Sequence, residues 1–166
     1  MSERQYNVLV LCTGNSARSI IGEVLFNALG KGKFIAHSAG SKPAGRVNPF
    51  ALELLQQRGH GTAGLRSKNW DEFAAPGAPQ IDFIFTVCDN AAGETCPIWT
   101  GKPATAHWGI PDPAAVDGSD EDKRAAFRKA YEQLARRIQL FMSLPIEKLD
   151  RLALKQKLAE IGQIRD

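Results

Sequence analysis

The apolar positions along this 166-residue chain change period several times, and each change marks an element. Residues 6–12, YNVLVLC, form an apolar run of strand length. From Ala17 an i, i+4 stripe of Ile20/Ile21, Val24/Leu25 and Ala28/Leu29 predicts an amphipathic helix closed by Gly30. FIAHSAG, residues 34–40, predicts a second strand. NPFALELLQQRG then predicts a helix capped by Asn48, begun by Pro49 and stopped at Gly59. Residues 60–80 are mixed, with a helical turn or two near SKNWDEF. IDFIFTV (81–87) is the clearest strand, and ATAHWGI (104–110) is a shorter one ended by Pro111. Phe127, Tyr131, Leu134, Ile138 and Phe141 stand at helical spacing and predict a long helix. SLPIEKLDRLALKQKLAEIG restarts a helix with Ser143 as N-cap and Pro145 in its first turn, a C-terminal extension over 143–166.

Strands separated by helices imply a parallel sheet with right-handed crossovers, so the pattern predicts one α/β domain over residues 1–166. Ligands of such sheets bind beyond the C-terminal ends of the strands. The first predicted strand ends at Cys12, the third at Cys88, and Asp112 follows the fourth. Two thiols and a carboxylate therefore converge on one edge by topology.

Composition narrows the setting. The chain is 43% hydrophobic and 23% charged, as in a soluble globular protein. A net charge of +3 is too small to imply nucleic acid, no run is long enough to span a membrane, and MSERQY lacks a secretory core. The expectation is a cytoplasmic protein with neither nucleic acid nor membrane as partner. Three cysteines, Cys12, Cys88 and Cys96, are an odd number for a disulfide framework and point to reactive thiols or metal ligands. Seven residues separate Cys88 from Cys96, too many for a zinc knuckle, so no metal site is expected. His37, His60 and His107 read as ordinary strand or loop residues, and Trp99 and Trp108 as packing. Arg124, Arg128, Arg136 and Arg137 read as a solvated helix face.

The segment TGNSA after Cys12 joins strand to helix, and its amides can form an anion-binding nest. Arg18 in the first helical turn can fork two hydrogen bonds onto an oxyanion. The same charges favour a thiolate: a cysteine at the reference pKa of about 8.5 is only roughly 3% ionised at pH 7. Ser19 can donate a hydrogen bond to that sulfur. Cys12 thus reads as a nucleophile inside a cradle formed by Thr13, Gly14, Asn15, Ser16, Ala17, Arg18 and Ser19. A bare Cys-x5-Arg is a weak signal; Cys-x5-Arg-Ser at a strand-to-helix junction is a strong one. The absence of Gly-Lys-Ser/Thr excludes a Walker loop.

VLCTGNSARS resembles the phosphate loop of the low-molecular-weight protein tyrosine phosphatase fold, and VCDNAAGETCP and AHWGIPDPA resemble the arsenate reductase branch of that family. The likeness runs from residue 6 to about 142, and the tail is similar to that of bacterial members. It implies a four-stranded parallel sheet flanked by helices, with Cys12 as nucleophile, Arg18 and the loop amides as oxyanion site, Asn15 holding the loop, and Asp112 as general acid. It further implies arsenate reduction by a thiol relay in which Cys88 displaces arsenite from Cys12 and Cys96 then resolves the Cys12–Cys88 disulfide. No bound cofactor is implied. The electrons come from an external reductant, thioredoxin or glutathione with glutaredoxin, and a monomer is expected. Two alternatives stand beside this: a phosphatase acting on phosphate monoesters, and a non-enzymatic oxyanion-binding redox module. The chain departs from the family at Ala17, where some reductases carry a further thiol, and at Ala114 and Ala115, where phosphatases carry tyrosine. Asn15, Glu23 and Ser38 stand where the family can carry a cation beside the loop, but no fourth ligand is identifiable and no cation site is claimed.

Overall fold

A computed structural model of the chain describes residues 5–88 and 103–164. Four strands, β1 (Tyr6–Leu11), β2 (Phe34–Ala39), β3 (Phe83–Thr86) and β4 (Ala104–His107), form one sheet in the order β2-β1-β3-β4. All three pairings are parallel, and Leu11 stands opposite Ala39 on one side and Thr86 on the other. Strand ends lie one to three residues inside the predicted spans. Beyond them, single bonds such as Val87 N–H to the Leu11 carbonyl (2.9 Å) splay the chain into the loops that carry the chemistry.

Among the described residues, four α-helices accompany the sheet: α1 (Arg18–Leu29), α2 (Pro49–Gln57), α3 (Asp120–Met142) and α4 (Arg151–Gly162). Asn48 caps α2 as predicted, its side chain accepting from Phe50 N–H at 2.8 Å, with Pro49 next. A capping box of Ser119 and Asp122 starts α3. The predicted cap at Ser143 is corrected: its hydroxyl donates to the Leu140 carbonyl (2.7 Å) and closes α3. Asp150, accepting from Ala153 N–H at 2.7 Å, begins α4 instead.

The strand period of two divides the core. Tyr6, Val8, Val10, Phe83 and Phe85 face α1, α3 and α4, packing on Phe26, Leu134, Ile138, Phe141 and Leu158. Leu9, Leu11, Ala39 and Ile84 face the other way, onto Trp70, Phe73 and Ile81. Trp108 is fully buried, 3.9 Å between ring centroids from Phe85. Each such ring contributes roughly 1.5–3 kcal/mol by burial, so the strands that end at the candidate site are firmly held. Among the described residues, no helix is long and apolar enough to cross a membrane.

Candidate active site

The loop after β1 is shaped by what it hydrogen-bonds behind itself. The Thr13 carbonyl accepts from Lys42 N–H (3.0 Å), Gly14 from Ala44 N–H (2.9 Å) and the Ser67 hydroxyl (3.1 Å), and Ser16 from Asn48 N–H (2.8 Å). These peptides are trans, so the amides that follow, those of Gly14, Asn15 and Ala17, point away from these partners. Asn15 makes the turn at φ 45°, a region where asparagine is tolerated. Its buried side chain donates to the Ser19 hydroxyl and accepts from Lys68 N–H, both at 2.8 Å. Ser19 is thus an acceptor from Asn15, which leaves its own hydroxyl proton for donation. Gly40 allows the close approach: a Cβ there would overlap the Cys12 and Thr13 carbonyls. Ala17 precedes α1 with no side-chain cap bond, which leaves the first-turn donors for an anion.

Cys12, Thr13, Gly14, Ser16, Ala17, Arg18, Cys88, Asp112 and Ala114 line a cavity whose volume is about 200 Å³. Arg18 donates from Nη1 to the Ile110 carbonyl (3.0 Å), and its Nη2 lies 3.6 Å from Asp112 Oδ2. The Asp112 carboxylate is 42% exposed, and its Oδ1 accepts from Ala114 N–H at 2.9 Å, which fixes its rotamer at the start of a 3-10 turn. Guanidinium and carboxylate therefore face each other across the cavity mouth.

Cys12 and Cys88 are both buried, neither is in a disulfide, and both line this cavity. Thr13 Oγ1 lies 3.6 Å from Cys88 Sγ. The Cys12 thiol is pushed up from its ordinary value, chiefly by the hydrogen bond with Cys88 and next by burial, against Arg18 and the Gly14 amide, which pull it down. The Arg18 and Gly14 contributions are those expected from the loop; the opposing effect of Cys88 and of burial is added to them. The neighbouring thiol and burial thus oppose a negative charge on Cys12 that Arg18 and the Gly14 amide favour. Cys96 and Trp99 lie outside the described residues.

Behind the loop, the place suggested for a cation holds the chain's own ammonium. Glu23 accepts from the Ser38 hydroxyl (2.6 Å) and lies 3.7 Å from Lys68 Nζ, with both charged side chains largely buried. Burial lowers the Lys68 pKa, and Glu23 pulls it back up. Lys68, Ser67 and Gly40 are functional supports that sequence reading missed, because their partners in the loop stand 27 to 53 residues away. Among the described residues, no three His, Cys, Asp or Glu side chains cluster to hold a metal.

Residues 7–157 match the family model of the low molecular weight phosphotyrosine protein phosphatases. An arsenate reductase of Halalkalibacterium halodurans is 33% identical over 134 residues, covering 81% of this chain and 93% of that protein. A solved structure described as an arsenate reductase in the phosphate binding state is 25% identical, with a TM-score of 0.62 over 81% of this chain and 98% of that one. The low molecular weight protein tyrosine phosphatase of T. tengcongensis shares the fold at 23% identity and TM-score 0.63, over 87% of this chain and all of its own. By sheet order, by loop and by extent of match, this chain belongs to the low molecular weight phosphotyrosine protein phosphatase family.

Proposed function

We propose that this chain reduces arsenate to arsenite, using residues 1–166 as one catalytic domain. The observation that carries the reading is the second buried thiol: Cys88 lines the same cavity as Cys12 and Arg18. A hydrolytic enzyme needs one sulfur and water there, whereas a reductase needs a second sulfur within bonding reach of the first. The related arsenate reductases at about 30% identity support the substrate.

The Cys12 thiolate attacks arsenate held by Arg18 and the amides of Gly14, Asn15 and Ala17. A sulfur–arsenic bond forms, and Asp112 protonates the departing oxygen. Cys88, as thiolate, then attacks the Cys12 sulfur. The new disulfide forms as the sulfur–arsenic bond breaks, and its electron pair stays on arsenic: As(V) becomes As(III), and two thiols become one disulfide. Cys96 attacks Cys88, giving Cys88–Cys96 and returning Cys12. An external dithiol, thioredoxin before glutaredoxin with glutathione, reduces that disulfide by exchange. This chemistry suits a monomer in a reducing cytoplasm.

A phosphatase reading has the same Cys12, Arg18 and Asp112, but at the cavity wall Ala114 offers no aromatic face to stack on a phenyl ring. Arsenate-dependent NADPH oxidation, with thioredoxin and its reductase or with glutathione and glutaredoxin, tests the proposal. Turnover is expected and should vanish in Cys12→Ser and Cys88→Ser. Hydrolysis of an aryl phosphate without reductant, and no arsenite from any thiol, would favour the phosphatase.

A further inference from the structure

Arg137 was expected on a solvated helix face, yet it is 4% exposed. From α3 its Nη1 donates to the carbonyls of Trp108 and Gly109, both at 3.0 Å, and its Nη2 donates to the Ile164 carbonyl at 3.0 Å. A buried guanidinium is costly unless its donors are used, so this placement selects one geometry for the segment it holds.

That segment leads directly to Asp112. Trp108 N–H donates to the Thr86 carbonyl (2.7 Å) and Ile110 N–H to that of Val87 (3.2 Å), which ties the amide side to β3. The carbonyl side is tied by arginines: Trp108 and Gly109 to Arg137, Ile110 to Arg18. Pro111 adds a restricted φ, and Asp112 comes next. The C-terminal extension closes the device from outside. Trp108 Nε1 donates to the Leu158 carbonyl at 3.0 Å, and α4 approaches so closely that a Cβ on Gly162 would overlap the His107 carbonyl. A hollow of about 530 Å³, lined by His107, Gly109, Pro111, Gln133 and Ile164 among others, adjoins Arg137. On that side the loop is therefore supported by Arg137 more than by packing.

We infer that Arg137 is a positioning residue: clamped between residues 108–109 and the exit of α4, it fixes the Ile110 carbonyl and Asp112 relative to Arg18. The inference rests on the roles proposed above for Arg18 and Asp112, and it gives α4 a part in the reaction without contact to substrate.

The test compares Arg137→Met, which keeps the stem and loses the donors, with Arg137→Lys, each alone and combined with Asp112→Asn. Steady-state arsenate reduction and hydrogen exchange over residues 108–116 are the readouts. Arg137→Met is expected to lower kcat roughly tenfold to a hundredfold, the effect of a misplaced acid, with KM for arsenate within about twofold. Exchange over 108–116 should accelerate, and Arg137→Lys should recover part of both. With Asp112 already replaced, Arg137→Met should cost nothing further. An unchanged kcat, or the same loss with and without Asp112, would overturn the inference. Should Arg137→Met fail to fold, Gly162→Leu, which lifts α4 from the His107 carbonyl, must show the same dependence on Asp112. If the wild-type chain forms no arsenite, the functional reading fails, while exchange over 108–116 still decides the clamp.

Discussion

Replacing Asp112 by asparagine separates two roles that the structure superimposes on one carboxylate. As acid it must donate a proton to the oxygen leaving arsenic. As a charge it lies 3.6 Å from Arg18 Nη2 and competes with the oxyanion for that guanidinium. The Asp112→Asn side chain keeps an oxygen that can accept from Ala114 N–H, so the 3-10 turn and the fold should be retained. In water two unit charges at this separation attract by about 1 kcal/mol. The carboxylate is 42% exposed, so screening reduces that to roughly 0.5–1 kcal/mol. Freed of this pair, Arg18 should bind arsenate or phosphate about two- to fivefold more tightly. Loss of the acid should lower kcat at least roughly a hundredfold. Calorimetric phosphate titration and steady-state kinetics with a thiol reductant read the two effects separately. A raised KM, or a kcat within a few-fold of wild type, would refute the pairing of roles, since each role predicts the opposite sign.

Three further outcomes follow from the supports of the loop. Lys68→Met leaves Glu23 largely buried without its ammonium, and breaking such a pair costs about 3 kcal/mol or more; urea unfolding should show it, with weaker phosphate binding as Asn15 loosens. Gly40→Ala drives a methyl into the Cys12 and Thr13 carbonyls and should cost roughly 1–3 kcal/mol, together with most phosphate affinity by calorimetry, whereas Gly61→Ala, in open space, should change neither. Burial lowers the His37 pKa from its ordinary value near 6.5, so the unfolded chain binds its proton first. Its contribution to stability should be complete above about pH 6.5 and decline as pH falls through that value, and His37→Gln should flatten that part of a melting-temperature profile.

Much of the fold was legible because its signals are local. The apolar run of β1, the period-two β3, the Asn48-Pro49 start of α2 and the aromatic spacing of α3 each need only a few neighbouring residues. Parallel order then placed Cys12, Cys88 and Asp112 on one edge before any coordinates. What local pattern did not carry was side-chain partnership across the chain. Arg137 sits among charged helix neighbours, and nothing near it signals that carbonyls some 28 residues upstream turn it inward. Lys68 likewise sits in a mixed stretch whose importance comes from Asn15 and Glu23. Ser143 and Asp150 both have cap chemistry, and tertiary packing chose between them. The same holds at Cys12: the loop supplies the charges that favour its thiolate, while the opposing sulfur of Cys88 comes from the end of another strand.

Whether Cys88 takes the place of arsenic on Cys12 is tested most directly by a single turnover without external reductant. Fully reduced protein is mixed with arsenate, quenched by acid and alkylation, and analysed for arsenite and for disulfide-linked peptides. The expected result is one arsenite per chain, a disulfide containing Cys88 in the wild type, and a Cys12–Cys88 disulfide trapped in Cys96→Ser. Arsenite formed at the same stoichiometry by Cys88→Ser, or formed with Cys88 still alkylated as a thiol, would contradict that role.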